Sequence, residues 1–210
     1  MAKVICDHCL EDGPEECESC GVRNLTFWGS DCIKTFNDYV LSDLAQLALN
    51  QKGTVLVFAH NFKGYDGHFV LRDLWARSFE KFDIIMQGRK VLKIEEGNVK
   101  YIDSLSFFQL PLASLPKSFG FENLVEKGYF PHYFNTTDNQ DYVGIIPQKK
   151  DFGYEDFMPA AKAKFDEWYD SWTGDWDFKE EIEKYCRNDV EILSMAVMKF
   201  RKEFMVSCLI

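Results

Sequence analysis

The sequence predicts an α/β fold with a partly parallel sheet. Three observations carry that expectation: a continuous β-branched and apolar run from Thr54 to Ala59, two strand-like pieces on either side of Gly97, and apolar residues at helical spacing in the segments between and after them. In chain order, Ala2 to Ile5 and Asn24 to Trp28 read as short strands flanking a cysteine-rich loop. Phe36 to Leu49 sets Phe36, Val40, Leu44 and Leu47 at helical spacing, with an Asn near its start. Thr54 to Ala59 lacks polar alternation, the pattern of a strand buried on both faces. Asp66 to Arg77 reads as a helix and Phe82 to Met86 as a strand. Lys90 to Glu95 and Asn98 to Asp103 form a hairpin around Gly97. Pro111 to Phe119 suits a helix ended by Gly120. Residues 127 to 155 carry few periodic signals and many Gly, Pro, Asn and Asp, so a long loop is expected. Pro159 to Trp172 and Phe178 to Phe204 read as helices, the last one long.

The 210 residues suit one domain, or one plus a small appendage. Nineteen Phe, nine Tyr and five Trp can fill a core without disulfide staples. Apolar stretches are too short for a membrane-spanning helix, and no basic-then-apolar leader opens the chain, so neither a membrane nor a secretory route is expected. The formal net charge of −10 argues against a general electrostatic grip on duplex nucleic acid. It leaves room for metal-dependent phosphoryl chemistry, which puts carboxylates at its centre, and for an acidic scaffold.

Cys6, Cys9, Cys17 and Cys20 form two Cys-x2-Cys pairs seven residues apart. In a chain without a secretory signal, such pairs favour a metal over disulfides. Each knuckle points two thiolates at one ion, and two knuckles complete a closed, structural zinc shell. The bland reading is four reduced thiols left by a degraded site; His8 and Cys32 are substitute ligands. The acidic residues from Glu11 to Glu16 read as a solvated loop between the pairs.

Three further constellations carry chemistry. The first follows the buried strand, where Asn61, Lys63, Gly64, Tyr65, Asp66 and Phe69 lie in a turn running into a helix. That is the carboxyl edge of a sheet, where sites tend to form; the bland alternative is an Asn and an Asp that cap the turn and helix. The second is Tyr185 and Asp189, four apart and so on one helical face, able to hold a cation and orient water or simply to decorate a charged surface. The third is Asp103-Ser104-Leu105 with Lys127-Gly128 downstream, where Ser104 can bond a phosphate or base and Lys127 can neutralise a phosphate.

In this order and spacing, the chain resembles the proofreading 3′–5′ exonuclease domain of protein-primed family B DNA polymerases of the Polinton/Maverick transposon, virus and linear-plasmid type. Asn61-x3-Tyr65-Asp66 resembles that family's second exonuclease motif, Tyr185-x3-Asp189 its third, and Asp103-Ser104-Leu105 its single-strand-binding motif. Lys127 falls where the family keeps a catalytic lysine, and a Cys-rich insert like Cys6 to Cys20 occurs in Polinton-type members. The resemblance implies a ribonuclease-H-like (DnaQ-type) fold, with a Cys-rich segment over residues 1–33 and an exonuclease-like domain over 34–210. It implies Mg²⁺ or Mn²⁺ held by Asp66 and Asp189, a water oriented by Tyr185, and Lys127 facing the scissile phosphate. Asn61, Phe62, Phe69, Ser104 and Leu105 would hold single-stranded DNA at the primer 3′ end. It implies a nuclear, mitochondrial or viral site of DNA replication.

Two departures shape the expectation. The family's opening Asp-x-Glu strand, which carries two of four metal ligands, is missing; the only Asp-x-Glu is Asp189-Val190-Glu191. The polymerase motifs Asp-Thr-Asp and Ser-Leu-Tyr-Pro-Ser do not occur either. In the implied fold the opening strand lies between Ala2 to Ile5 and Thr54 to Ala59. Its loss orphans buried backbone groups unless Ala2 to Ile5 slides across, another chain or the missing polymerase part supplies a strand, or the chain is a truncated product. The sequence thus reads as a portion of a DNA-directed DNA polymerase with an impaired proofreading site. The alternatives are a non-catalytic module that binds single-stranded DNA or protein, and an active nuclease recruiting carboxylates such as Asp7 or Glu11.

Overall fold

A computed structural model describes residues 1–9, 15–77, 82–121 and 128–208. The chain divides into two units, Met1–Glu122 with Glu191–Ile210, and Asn123–Val190.

The first unit opens with short strands around the cysteines. β1 (Ala2–Lys3) pairs antiparallel with β4 (Asn24–Leu25), and β2 (Glu16–Cys17) with β3 (Gly21–Val22). Residues 32–50 then form one helical rod: α1 (Cys32–Asp38), a π-helical stretch Tyr39–Leu44, and α2 (Ala45–Asn50). The wider π turn resets the inward spacing. Asn37 and Val40 are buried three apart, and the next fully buried position, Ala45, comes five residues later.

Four strands make the main sheet: β5 (Val55–Ala59), β6 (Asp83–Gln87), β7 (Lys90–Glu96) and β8 (Val99–Asp103), in the order β5-β8-β7-β6. β6, β7 and β8 form an antiparallel meander and β5 lies parallel to β8, so the partly parallel sheet is found as expected. The Gly97 turn adopts φ +57°, which a glycine accepts without strain. Register assigns the faces. Val55, Val57 and Ala59 stand opposite Val99, Tyr101 and Asp103, and Tyr101 opposite Ile94. That parity points at the core, where Val91, Ile94, Val99 and Tyr101 are almost wholly buried. Helix α3 (Asp66–Arg77) covers it with Gly67, Val70 and Leu74 on one stripe. Each large apolar side chain so buried contributes roughly 1.5–3 kcal/mol.

A polar network crosses this core. The Tyr101 hydroxyl donates to Asn37 Oδ1 at 3.1 Å, and Asn37 Nδ2 donates to Asp73 at 2.7 Å. Arg77 Nε donates to the same Asp73 oxygen at 2.6 Å, and its other nitrogens reach Asp38 and the Lys34 carbonyl. A second apolar cluster packs Phe108, Leu115, Ile192 and Ala196, placing the far half of helix α6 (Phe178–Cys208) in this unit. Lys3 donates to both oxygens of Glu191 at 2.7 and 2.6 Å, tying β1 to that helix.

The second unit is built on aromatic rings. Helix α5 (Pro159–Asp170) supplies Phe165, fully buried among Tyr129, Phe152, Tyr154, Phe157, Trp168 and Tyr169. β9 (Val143–Gly144) pairs antiparallel with β10 (Trp176–Asp177), which leads into α6.

Three expectations are corrected. β5 is not buried on both faces: Leu56, on the face opposite the core, is 51% exposed, and among the described residues β5 pairs only with β8 and stands at the end of the sheet. Nor does Ala2 to Ile5 slide beside it; β1 is used by β4. The Pro111 to Phe119 helix is shorter than expected, a 3₁₀ turn at Leu112–Ser114 followed by α4 (Leu115–Ser118). No helix among the described residues is long and apolar enough to cross a membrane.

Candidate functional site

The best-formed metal geometry is at the cysteines. The sulfur atoms of Cys6, Cys9, Cys17 and Cys20 lie within 4.8 Å of one another. Cys6–Cys9 measures 3.6 Å, Cys6–Cys17 3.7 Å and Cys9–Cys20 3.7 Å. Sulfurs placed about 2.3 Å from one ion at tetrahedral corners stand about 3.8 Å apart, so the cluster can hold a metal such as zinc. Each knuckle folds itself through a backbone donor: Cys6 N–H to Cys9 Sγ and Ser19 N–H to Cys17 Sγ, both at 3.4 Å. The Ser19 N–H, and then the Cys20 N–H, push the Cys17 thiol down to about 7, whereas burial pushes the Cys20 thiol up. A dication would resolve that conflict by taking both as thiolates. Gln51 Nε2 donates to the Ser19 carbonyl at 2.8 Å, which fastens the knuckle to the end of α2.

The second centre is the carboxyl edge of the sheet, where β5 and β8 end side by side. β5 runs out at His60 into Asn61, whose φ of +62° is left-handed, a conformation that Asn tolerates better than most residues. The Asn61 carbonyl accepts from Gly64 N–H at 2.7 Å, closing a tight turn. A Cβ at position 64 would stand 2.7 Å from Asn61 Nδ2, so any larger residue there would displace the Asn61 side chain. The chain then enters α3 at Asp66. Among the described residues the Asp66 carboxylate makes no ion pair. Protein atoms crowding its carboxyl raise its pKa; its own backbone N–H pulls the other way, and the Asp103 carboxylate raises it further. A cation would be favoured at such a place. Tyr65 and Phe69, four apart, are 73% and 46% exposed beside it.

The other sequence-derived candidates fall out differently. Phe62 is 2% exposed and stacks on Tyr101 with ring centroids 6.3 Å apart, so it belongs to the core and cannot face a nucleic acid. Ser104 is 0% exposed, and its hydroxyl lies 2.9 Å from His60 Nδ1 and 3.3 Å from the Ala59 carbonyl. Leu105 is half-buried. Tyr185 and Asp189 lie four apart on α6 within the second unit, where Tyr185 packs against Phe130 and His132. Lys127 and Glu11 lie outside the described residues. Asp7 pairs with Arg201 at 2.6 Å and is used there.

The sequence reading names Lys63 and Asp103 inside its motifs but gives neither side chain a role. Asp103 had a visible signal: on the hairpin strand 99–103 it shares the inward parity of Val99 and Tyr101. A carboxylate at an inward position needs a reason.

The fold is thus that of an α/β protein whose sheet gathers an amide, a carboxylate and exposed aromatic rings at its carboxyl edge, the place where sites tend to form on such sheets. The chain belongs to the type B DNA polymerases of organelles and viruses: that family matches residues 49–209. A "Probable DNA polymerase" of Neurospora intermedia is 32% identical over 176 residues, covering 72% of this chain and 17% of that protein. One of Ascobolus immersus is 28% identical over 170 residues, 71% of this chain and 13% of that protein. A "DNA polymerase" of Kluyveromyces lactis is 28% identical over 188 residues, 84% of this chain and 18% of that protein. The chain thus spans less than a fifth of the length of these relatives. No solved structure matches it.

Proposed function

We propose that this chain is a 3′–5′ exonuclease-type portion of a protein-primed type B DNA polymerase, on a ribonuclease-H-like plan, whose sheet edge holds the unpaired end of a DNA strand. The observation that carries this is the Asn61–Asp66 turn. It closes beside β8 with the Asp66 carboxylate at its end and exposed aromatic rings on the adjoining helix. Asn61 offers a hydrogen bond to a sugar or phosphate, and Phe69 a face for stacking a base. Asp66 would offer a ligand to divalent magnesium or manganese, which when bound supplies charge stabilisation for phosphodiester hydrolysis, and Asp189, on the second unit, would be a metal ligand there. Tyr185 shares the helical face of Asp189 and would orient the attacking water. Lys127 remains the candidate for neutralising the phosphate. The Cys6, Cys9, Cys17 and Cys20 cluster would hold a structural zinc, closed to substrate because all four positions are thiols.

With two of the family's four carboxylates not among these residues, the chain by itself should bind single strands and trim them poorly. The test is incubation with Mg²⁺ and an end-labelled single strand, beside a filter-binding assay at low salt. Binding with little trimming is expected. Robust trimming abolished in Asp66→Ala would overturn the incomplete-cage reading; absence of binding would overturn the single-strand site.

A further inference from the structure

Asp103 is a wholly buried carboxylate, 0% exposed, at the last position of β8. A charge so placed must be matched by donors. Its Oδ1 accepts the Leu105 N–H at 2.8 Å. Its Oδ2 accepts the Lys63 N–H at 3.3 Å and lies 3.8 Å from Lys63 Nζ. In register Asp103 stands opposite Ala59, the last residue of β5. One side chain therefore bridges two segments that leave parallel strands at the same edge. Ser104 adds a second stitch to His60, and His60 Nε2 meets the Leu110 carbonyl at 3.0 Å. A carbonyl only accepts, so Nε2 carries a proton; in the neutral ring Nδ1 then accepts from the Ser104 hydroxyl, whose single proton cannot also serve the Ala59 carbonyl.

We propose that Asp103 is a positioning residue: its buried carboxylate, with Lys63 as counter-ion, clasps the Asn61–Asp66 turn to the Ser104–Leu105 turn and sets how that edge meets a single strand. The proposal rests on reading this edge as a single-strand site. The residue type follows from the geometry. Two backbone N–H groups arrive from two segments, and only a carboxylate offers an acceptor to each; an amide of the same shape turns an NH₂ toward one of them. Asp103 acts on a nucleic acid only through what it holds, because none of its surface is open.

The sign of one substitution tests this. Asp103→Asn removes a negative charge, which on electrostatic grounds alone should tighten binding to an anionic strand. A lost clasp should weaken it, on the order of fivefold for one anchoring hydrogen bond. The measurement is anisotropy of a fluorescein-labelled oligothymidylate with the full chain, together with amide exchange. Weaker binding is expected, with faster exchange at Lys63 or Leu105 and unchanged exchange at Val57 and Tyr101 in the strand ladder. Tighter or unchanged binding, or unchanged exchange at both Lys63 and Leu105, overturns the clasp while wild-type binding keeps the site reading intact. Failure of the wild-type chain to bind overturns both.

Should Asp103→Asn not fold, Lys63→Gln serves. Weaker binding with an unchanged salt slope supports Lys63 as counter-ion. A slope smaller by about one means that Lys63 contacts a phosphate itself, and overturns that role.

Discussion

Asn61 and Gly67 show how local chemistry shapes the sheet edge. Asn61 occupies a left-handed conformation that glycine adopts freely and alanine adopts at a cost of about 1 kcal/mol. Asn61→Gly should therefore keep the fold, with a urea midpoint near that of the wild type, and bind single strands more weakly. Asn61→Ala should lower stability as well. Gly67 is packed against Phe62 and Val91: a Cβ would stand 3.0 Å from the Phe62 carbonyl oxygen and 3.1 Å from Val91 Cβ. Overpacking of roughly 1–3 kcal/mol should exceed the gain of about 1 kcal/mol that alanine brings to a helix. Gly67→Ala is expected to unfold at lower urea, and an unchanged midpoint would show that α3 can shift. Phe69 is the exposed ring on that helix. Phe69→Ala should cost about 1–3 kcal/mol of single-strand affinity with no loss of stability, read by titration and thermal melting.

At the scale of elements, the cysteine knuckles and the α1–α3 contact make separate predictions. Metal analysis should find about one zinc per chain. Cys17→Ser should abolish it and lower the melting temperature, because the knuckle is fastened to α2 through Gln51 and Ser19. Full stability in strong chelator would argue that the four thiols have no structural ion. Asp38 receives hydrogen bonds from Lys34 and Arg77, which hold its carboxyl below the ordinary range, Lys34 more than Arg77. A depressed carboxylate stabilises the folded state above its unfolded pKa of about 4, and that stability disappears as pH falls through the lower folded value. Stability of the wild type should therefore decline more steeply below about pH 4 than that of Asp38→Asn, in urea titrations across that range.

At the scale of the molecule, the sheet of the described residues ends on β5. Val55 N–H donates to the Asn98 carbonyl at 2.9 Å, so by strand alternation the N–H groups of Val55, Val57 and Ala59 point toward β8. Those of Leu56 and Phe58 point the other way. Their amides should exchange faster than their neighbours' in the chain studied alone; equal protection would mean that something pairs with this edge. An apolar strand with a free edge is a pairing template, and proteins normally cover such edges.

Much of this was legible in the residues. Helix α3 and the hairpin around Gly97 appear within a residue of the expected bounds, because amphipathic spacing and a glycine turn are local signals. The four cysteines also meet as their spacing implied, since each knuckle is closed by its own backbone. Which side chains face outward was not legible for Phe62 and Ser104. Both lie inside motifs that point to nucleic acid, yet packing against Tyr101 and bonding to His60 turn them inward. Nor could local pattern show that β5 stands at the end of its sheet, since a run of apolar residues is the same whether one edge or both are paired. The family and the metal-ready thiols thus follow from short-range order in the chain. The inward Asp103 clasp and the open edge of β5 depend on which strand lies beside which, and that is decided only when segments far apart in sequence pack together.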